Sequence, residues 1–199
     1  MPASAAAGAL PRHAARREDL RRAVHAASGV LGPLALWLPG RAGAWLLGAL
    51  AAAALLLEAG RRARPVVCRA VETVAGSLFR PDEAGGLSGP TTLALGYAAA
   101  WWLFPPRAAA TAIVVAALAD PAAALAGRRF GRGEGKSAAG SLACALVAGA
   151  VILAGGAGAP AAAASALVAA LVERAPWRAA DNLLVPLAAG ATLTLLSPP

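Results

Sequence analysis

Seven apolar stretches, at about residues 26–40, 42–59, 90–106, 108–126, 138–158, 160–173 and 183–197, alternate with short segments that carry almost all the charge of this chain. That alternation constrains the fold more than any other feature. A helix needs about 20 apolar residues to cross bilayer hydrocarbon. Several of the stretches are shorter, so their bounds are soft, and those of 160–173 are the softest. Hydrophobic residues make up 59% of the 199 residues and charged residues 14%, against about 45–50% and about 25% in an ordinary soluble domain. One water-facing core cannot take up so much apolar surface. The expected fold is all-α: a polytopic integral membrane helix bundle with about seven transmembrane helices and one interfacial amphipathic helix. Residues 1–24 are expected to form an Arg-rich cytoplasmic segment and residues 25–199 a single transmembrane domain. A signal peptide is set aside because six more apolar stretches follow the first.

The 18 basic residues are seventeen Arg and Lys136. With seven spans and the N-terminus inside, segments 1–25, 60–89, 127–137 and 174–182 hold 16 of them, and the other side holds only Arg41 and Arg107. This asymmetry predicts an integral protein of a plasma membrane, the inner membrane of a bacterium, with a cytoplasmic N-terminus. Orientation accounts for the basic charge, so no nucleic-acid partner is expected. Cys68 and Cys144 belong to no C-x-x-C or Cys/His cluster, which leaves a zinc site without basis.

Residues 65–80 place Val66, Val67, Ala70, Val71, Val74, Ala75, Leu78 and Phe79 at helical spacing, with Arg69, Glu72, Thr73, Ser77 and Arg80 opposite. Two readings fit: a helix lying in the cytoplasmic interface, and a helix packed on the bundle.

Three acidic residues lie in or at the end of apolar stretches: Glu58, Asp120 and Glu173. Asp120 stands out. Ile113, Val114, Val115, Leu118 and Leu125 each favour insertion by about 0.3–0.6 kcal/mol, while a central Asp opposes it by about 2.5–3.5 kcal/mol. The sums nearly cancel, so an intramembrane carboxylate here is a candidate functional group; the other reading is a solvated structural Asp at the rim. Pro121 follows and loosens the helix, freeing carbonyls beside it.

Next comes Gly127-Arg128-Arg129-Phe130-Gly131-Arg132-Gly133-Glu134-Gly135-Lys136-Ser137. It is not a P-loop: three residues instead of four separate Gly131 from Gly135, and no strand precedes it. Glycines still let backbone N–H groups approach an anion, and Lys136 and Ser137 open a helix whose N-terminus favours phosphate. An ordinary positive loop is the plainer reading. A third element, Glu173 followed by Asp181-Asn182, caps the last stretch. All three elements fall on one predicted side, where two carboxylates and an amide can hold Mg²⁺ against phosphate oxygens.

These residues resemble the CTP-dependent polyprenol kinase family, which includes dolichol kinases, phytol kinases and CTP-dependent diacylglycerol kinases. The resemblance covers roughly residues 18 to 190. Glu18, Arg21, Arg22 and His25 stand where the family has E-x-x-R-K-x-x-H. Glu83 and Ser88-Gly89-Pro90-Thr91 match its next segment loosely. Its most specific block, G-D-x-x-A-x-x-x-G-r-x-f-G then K-S-x-E-G-S, is met by Asp120, Ala123, Gly127, Arg128, Phe130, Gly131, Lys136, Ser137, Gly140 and Ser141. Glu173, Asp181, Asn182 and Leu183 resemble its E…D-N-L. Ala119 replaces the Gly before Asp120, and Ala139 replaces the Glu before Gly140; Glu134 is the nearby carboxylate that could substitute for that Glu.

The resemblance implies transfer of the γ-phosphoryl of CTP to a lipid alcohol (polyprenol, phytol, dolichol or diacylglycerol) in a kinase-like domain facing the cytoplasm, with Mg²⁺ or another divalent cation. It implies catalytic roles for Asp120, Glu173 and Lys136, with Asp120 or Glu173 accepting the hydroxyl proton. Arg128, Gly131, Lys136, Ser137, Gly140 and Ser141 would bind the triphosphate, and Asp120, Asp181 and Asn182 the metal. Glu18, Arg21, Arg22, His25 and Glu83 are candidate contacts to substrate or headgroup, with a packed imidazole an equal reading for His25. Two other classes stay open: a phosphatidate cytidylyltransferase-like enzyme, whose longer S-P-K-K-T-x-E-G segment is missing, and a transporter, whose usual paired halves are missing.

Overall fold

A computed structural model describes residues 12–76, 86–131, 136–175 and 181–197. Among the described residues the chain is helical and has no strand. The helices are α1 (Arg12–Ser28), α2 (Leu31–Trp37), α3 (Ala42–Ala63), α4 (Pro65–Ala75), α5 (Gly89–Leu103), α6 (Pro106–Phe130), α7 (Ala138–Ala154), α8 (Ala159–Arg174) and α9 (Asp181–Leu196). By length and composition, α3 and α6 are long and apolar enough to cross a membrane; α7 and α9 are shorter apolar helices.

The first apolar stretch departs from expectation, because 26–40 is not one helix. The backbone tightens at its start: Gly29 N donates to Ala26 O, Val30 N to Ala27 O and Gly32 N to Gly29 O. Pro33 has no N–H to continue the α-helical ladder. What remains is α2, seven residues or about 10 Å long, too short for a span. It ends at Trp37, ahead of Pro39 and Gly40; the φ of +57° at Gly40 suits glycine. α1 runs through residues 24 and 25 without a break and packs on α6. The other stretches hold with shifted ends. α6 extends four residues past its expected end, to Phe130, with Arg128 and Arg129 in its last turn, where cations suit the helix dipole. Gly127 and Arg128 are therefore helical, not loop residues.

α6 is the spine, in contact with α1, α2, α5, α7 and α9. Its interior faces are mostly alanine, including Ala109, Ala110, Ala112, Ala116, Ala117, Ala119 and Ala123, all buried with Ile113 and Val115. Such small side chains let backbones approach closely. A Cβ on Gly32 would lie 2.6 Å from Ala110 O, and one on Gly29 2.8 Å from Ala117 Cβ. These contacts, with Asp19–Arg128 and His25–Asp120, run in opposite order along the two partners. α1 and α2 therefore lie antiparallel to α6.

The large apolar side chains lie outside. Trp37, Trp45, Leu56, Leu103, Leu142, Leu146, Leu171 and Leu195 are all exposed. At the end of the bundle where α3 and α6 begin and α5 ends, Trp45 packs edge-on against Trp102 with centroids 6.3 Å apart, and the Arg41 guanidinium lies 5.4 Å over the Trp102 ring. In α4 only Val71 is buried, while Val66 and Val74 are exposed; residues 77–80 of that expected helix lie outside the described residues.

Candidate functional site

Short connections join α6 to α7 and α8 to α9, and α3 packs against α5 across the segment that holds α4. The C-terminal ends of α3, α6 and α8 meet the N-terminal ends of α5, α7 and α9. Nearly every charged contact lies at this end.

α6 presents Asp120, whose Oδ2 is 3.4 Å from His25 Nδ1 on α1. Two turns on, Arg128 Nη2 meets Asp19 Oδ1 at 3.1 Å. On α1 itself Glu18 Oε1 accepts from Arg21 at 2.7 Å and pairs with Arg22 at 2.6 Å. One turn beyond His25, the Ser28 hydroxyl donates to His25 O at 2.6 Å and lies 2.9 Å from the hydroxyl of buried Tyr97.

Lys136 lies just before α7. Its ammonium donates to Glu173 O, to Ala175 O at 2.9 Å and to Asp181 Oδ2 at 2.7 Å, with Glu173 Oε1 at 3.9 Å. One cation thus joins the end of α8 to the start of α9. Glu173 and Asp181 are buried. The Asp120 and Asp181 carboxylates both lie within electrostatic range of Glu173.

Ser137 is the N-cap of α7: its hydroxyl accepts from Gly140 N at 3.1 Å. Ser141 Oγ donates to Ser137 O at 3.3 Å and takes a 3.4 Å contact from Arg174 Nη1. The glycines serve packing here. A Cβ on Gly127 would lie 3.1 Å from Ser137 Oγ, one on Gly131 3.1 Å from Ser137 Cβ, and one on Gly140 2.8 Å from Ala123 O. Absence of side chains lets the end of α6 abut the start of α7.

Asn182 turns toward α5, where its amide donates to Gly89 O at 3.0 Å and lies 3.5 Å from Thr92 Oγ1. Glu83, Arg132 and Glu134 lie outside the described residues. Among the described residues no three His, Cys, Asp or Glu side chains form a metal shell. Asp120 is partly exposed, while Asp181 Oδ2 is held by Lys136.

One cluster escaped the sequence reading. Glu58, 4% exposed, accepts from Arg61 Nη2 at 2.6 Å and Arg62 Nε at 2.8 Å, and Thr91 Oγ1 reaches its other oxygen at 3.4 Å. Ser88, the buried N-terminal residue flanking α5, lies 2.9 Å from Thr91 Oγ1. The available signal was a carboxylate three and four residues before two Arg at the end of an apolar run, a helical ion-pair spacing. The first turn of α5 is thus held by Glu58 on one side and Asn182 on the other. Comparisons with family models, characterised proteins and solved structures returned no match.

Proposed function

We propose that this chain is a membrane-embedded kinase that transfers the γ-phosphoryl of CTP to a lipid alcohol. The observation that carries the reading is the convergence of Lys136, Glu173 and Asp181, from three separate segments, with Asp120 in electrostatic range. Embedding is supported by an inverted side-chain distribution, with Ala and Gly inside and Leu and Trp outside. Water would drive the large residues inward, whereas hydrocarbon exerts no such force and favours small residues at helix contacts. Trp45 and Trp102 suit one interface, and α4 with its exposed valines suits the other. The seven-span topology with a cytoplasmic N-terminus needs one passage ahead of α3; α2 alone is too short for it, so α1 and α2 together form the first passage.

Mg²⁺ held by Asp120 and Asp181, with Asn182 supporting, would neutralise phosphate charge when bound. Arg128 and the start of α7 would take the triphosphate. Glu173, buried beside Lys136, or Asp120 would accept the proton of the alcohol, which reaches this end sideways between helices. Phosphoryl transfer asks little covalent chemistry of a protein and mostly requires positioning and charge.

A second reading, a family-like chain without catalysis, is favoured by one observation. The ammonium of Lys136 has three donors, and they reach Glu173 O, Ala175 O and Asp181 Oδ2. That is a structural lock, and Ala139 stands where the family has Glu. Purified protein assayed with γ-labelled and cytosine-labelled CTP against a panel of lipid alcohols separates the cases. Transfer of γ-label supports the kinase, transfer of cytosine label supports a cytidylyltransferase, and transfer only after Ala139→Glu supports the inactive reading.

A further inference from the structure

We propose that Arg22 and Arg128, brought together where α1 packs antiparallel to α6, clamp a phosphate anion, and that Asp19 occupies the clamp when phosphate is absent. The side chain of Arg22 is only 14% exposed. Its Nη2 is satisfied by Glu18, but Nε and Nη1 are buried and have no hydrogen-bond partner among the described residues. The nearest acid oxygen to Nη1 is Asp19 Oδ1 at 3.7 Å. Arg128 Nη2 reaches the same oxygen at 3.1 Å. One carboxylate oxygen therefore serves two guanidinium groups from different helices, which brings two like charges to the same point.

Leaving buried donors unsatisfied is costly, and two like charges held together need an anion between them. A single shared oxygen supplies less than the pair can use. A phosphate brings several oxygens and up to two charges, and matches the planar fork of each guanidinium. Asp19 is 61% exposed and Arg128 41%, so the carboxylate can rotate into solvent while Arg22 stays in place. The phosphate can belong to a nucleotide or to a lipid headgroup. The nucleotide source rests on the kinase reading, whereas the clamp itself does not.

The test is binding of tripolyphosphate, and in parallel of dioctanoyl phosphatidic acid, to the purified full-length protein in neutral detergent. Arg22→Gln and Arg128→Gln should each weaken binding by about tenfold or more, the usual effect of losing a charged hydrogen bond. Asp19→Asn should tighten it severalfold, because the internal competitor is gone. Arg22→Lys keeps the charge but loses Nε, and should also weaken binding in a chain that folds. A response to tripolyphosphate assigns the soluble source; a response to phosphatidic acid alone assigns the lipid source. Binding unchanged or weakened in Asp19→Asn makes the trio a strut between α1 and α6 and overturns the clamp, as does failure of both probes to bind. Binding with the expected pattern but no phosphoryl transfer removes the kinase and leaves the clamp.

Discussion

Lys136 Nζ lies 2.7 Å from Asp181 Oδ2, joining residues 45 positions apart where three helices end or begin. Both side chains are largely withdrawn from solvent, at 22% and 11% exposure. Lys136→Met would remove the ammonium that Asp181 Oδ2 and two carbonyls share, and stability should fall by about 3 kcal/mol. Lys136→Arg should not rescue it, since a flat guanidinium cannot point three donors as the ammonium does. Thermal unfolding of the two variants checks this.

Asp120 is the sharpest test of the proposed chemistry. Asp120→Asn keeps the size of the side chain, and a group with 34% exposure and one imidazole neighbour at 3.4 Å is not a major support of the fold. Phosphoryl transfer should drop by about a hundredfold or more with the melting midpoint nearly unchanged. Full transfer in this variant would remove Asp120 from the site.

Glu58→Gln should destabilise the chain by about 2–3 kcal/mol. The amide removes the charge that holds Arg61 and Arg62, and Arg62 in turn donates to Gly86 O ahead of α5. Limited proteolysis near residue 86 should speed up along with the loss of stability.

Two glycines give opposite outcomes. A Cβ on Gly96 would collide with Asn182 O and lie 3.0 Å from Leu183 Cα, so Gly96→Ala should cost about 1–3 kcal/mol by forcing α5 from α9. A Cβ on Gly149 meets nothing closer than 3.7 Å, from Ala166 Cβ. Gly149→Ala should gain about 0.5–1 kcal/mol from helix propensity. Paired unfolding curves decide both.

Cys68 offers a pH-dependent readout on α4. Its thiol donates to Glu72 Oε1 at 3.4 Å, and that carboxylate raises the thiol above its ordinary range by favouring the protonated form. Replacing the carboxylate by a neutral amide weakens that bond and removes the charge, which lowers the value, so at a fixed mildly alkaline pH more thiolate is present. Glu72→Gln should be alkylated severalfold faster by iodoacetamide, with Cys144, which is buried, silent in the folded chain.

The helical class was legible because alternating apolar and basic segments permit little else, and the meeting of Lys136 with Asp181 follows from short connections that place alternate helix ends together. The break at Gly29 was not legible from hydropathy, since Gly29-Val30-Leu31-Gly32 is as apolar as a helix interior; Pro33 was the only hint. Glu58 was hidden because Arg61 and Arg62 were read as orientation charges, and pairing across 33 positions to Thr91 leaves no local pattern. The glycines of 127–140 suggest a phosphate cradle in one dimension. In three dimensions Gly127 and Gly131 also let the end of α6 reach Ser137, a packing role that the linear pattern does not show.

An interior built of alanine has almost nothing left to remove. Shortening Ala112 or Ala117 deletes one methyl group, while lengthening either, both fully buried, crowds the packing around it. Variation over generations should therefore be lopsided: free turnover among the outward leucines, and near-fixity along the inner stripe of α6, where only an equally small residue can take the place.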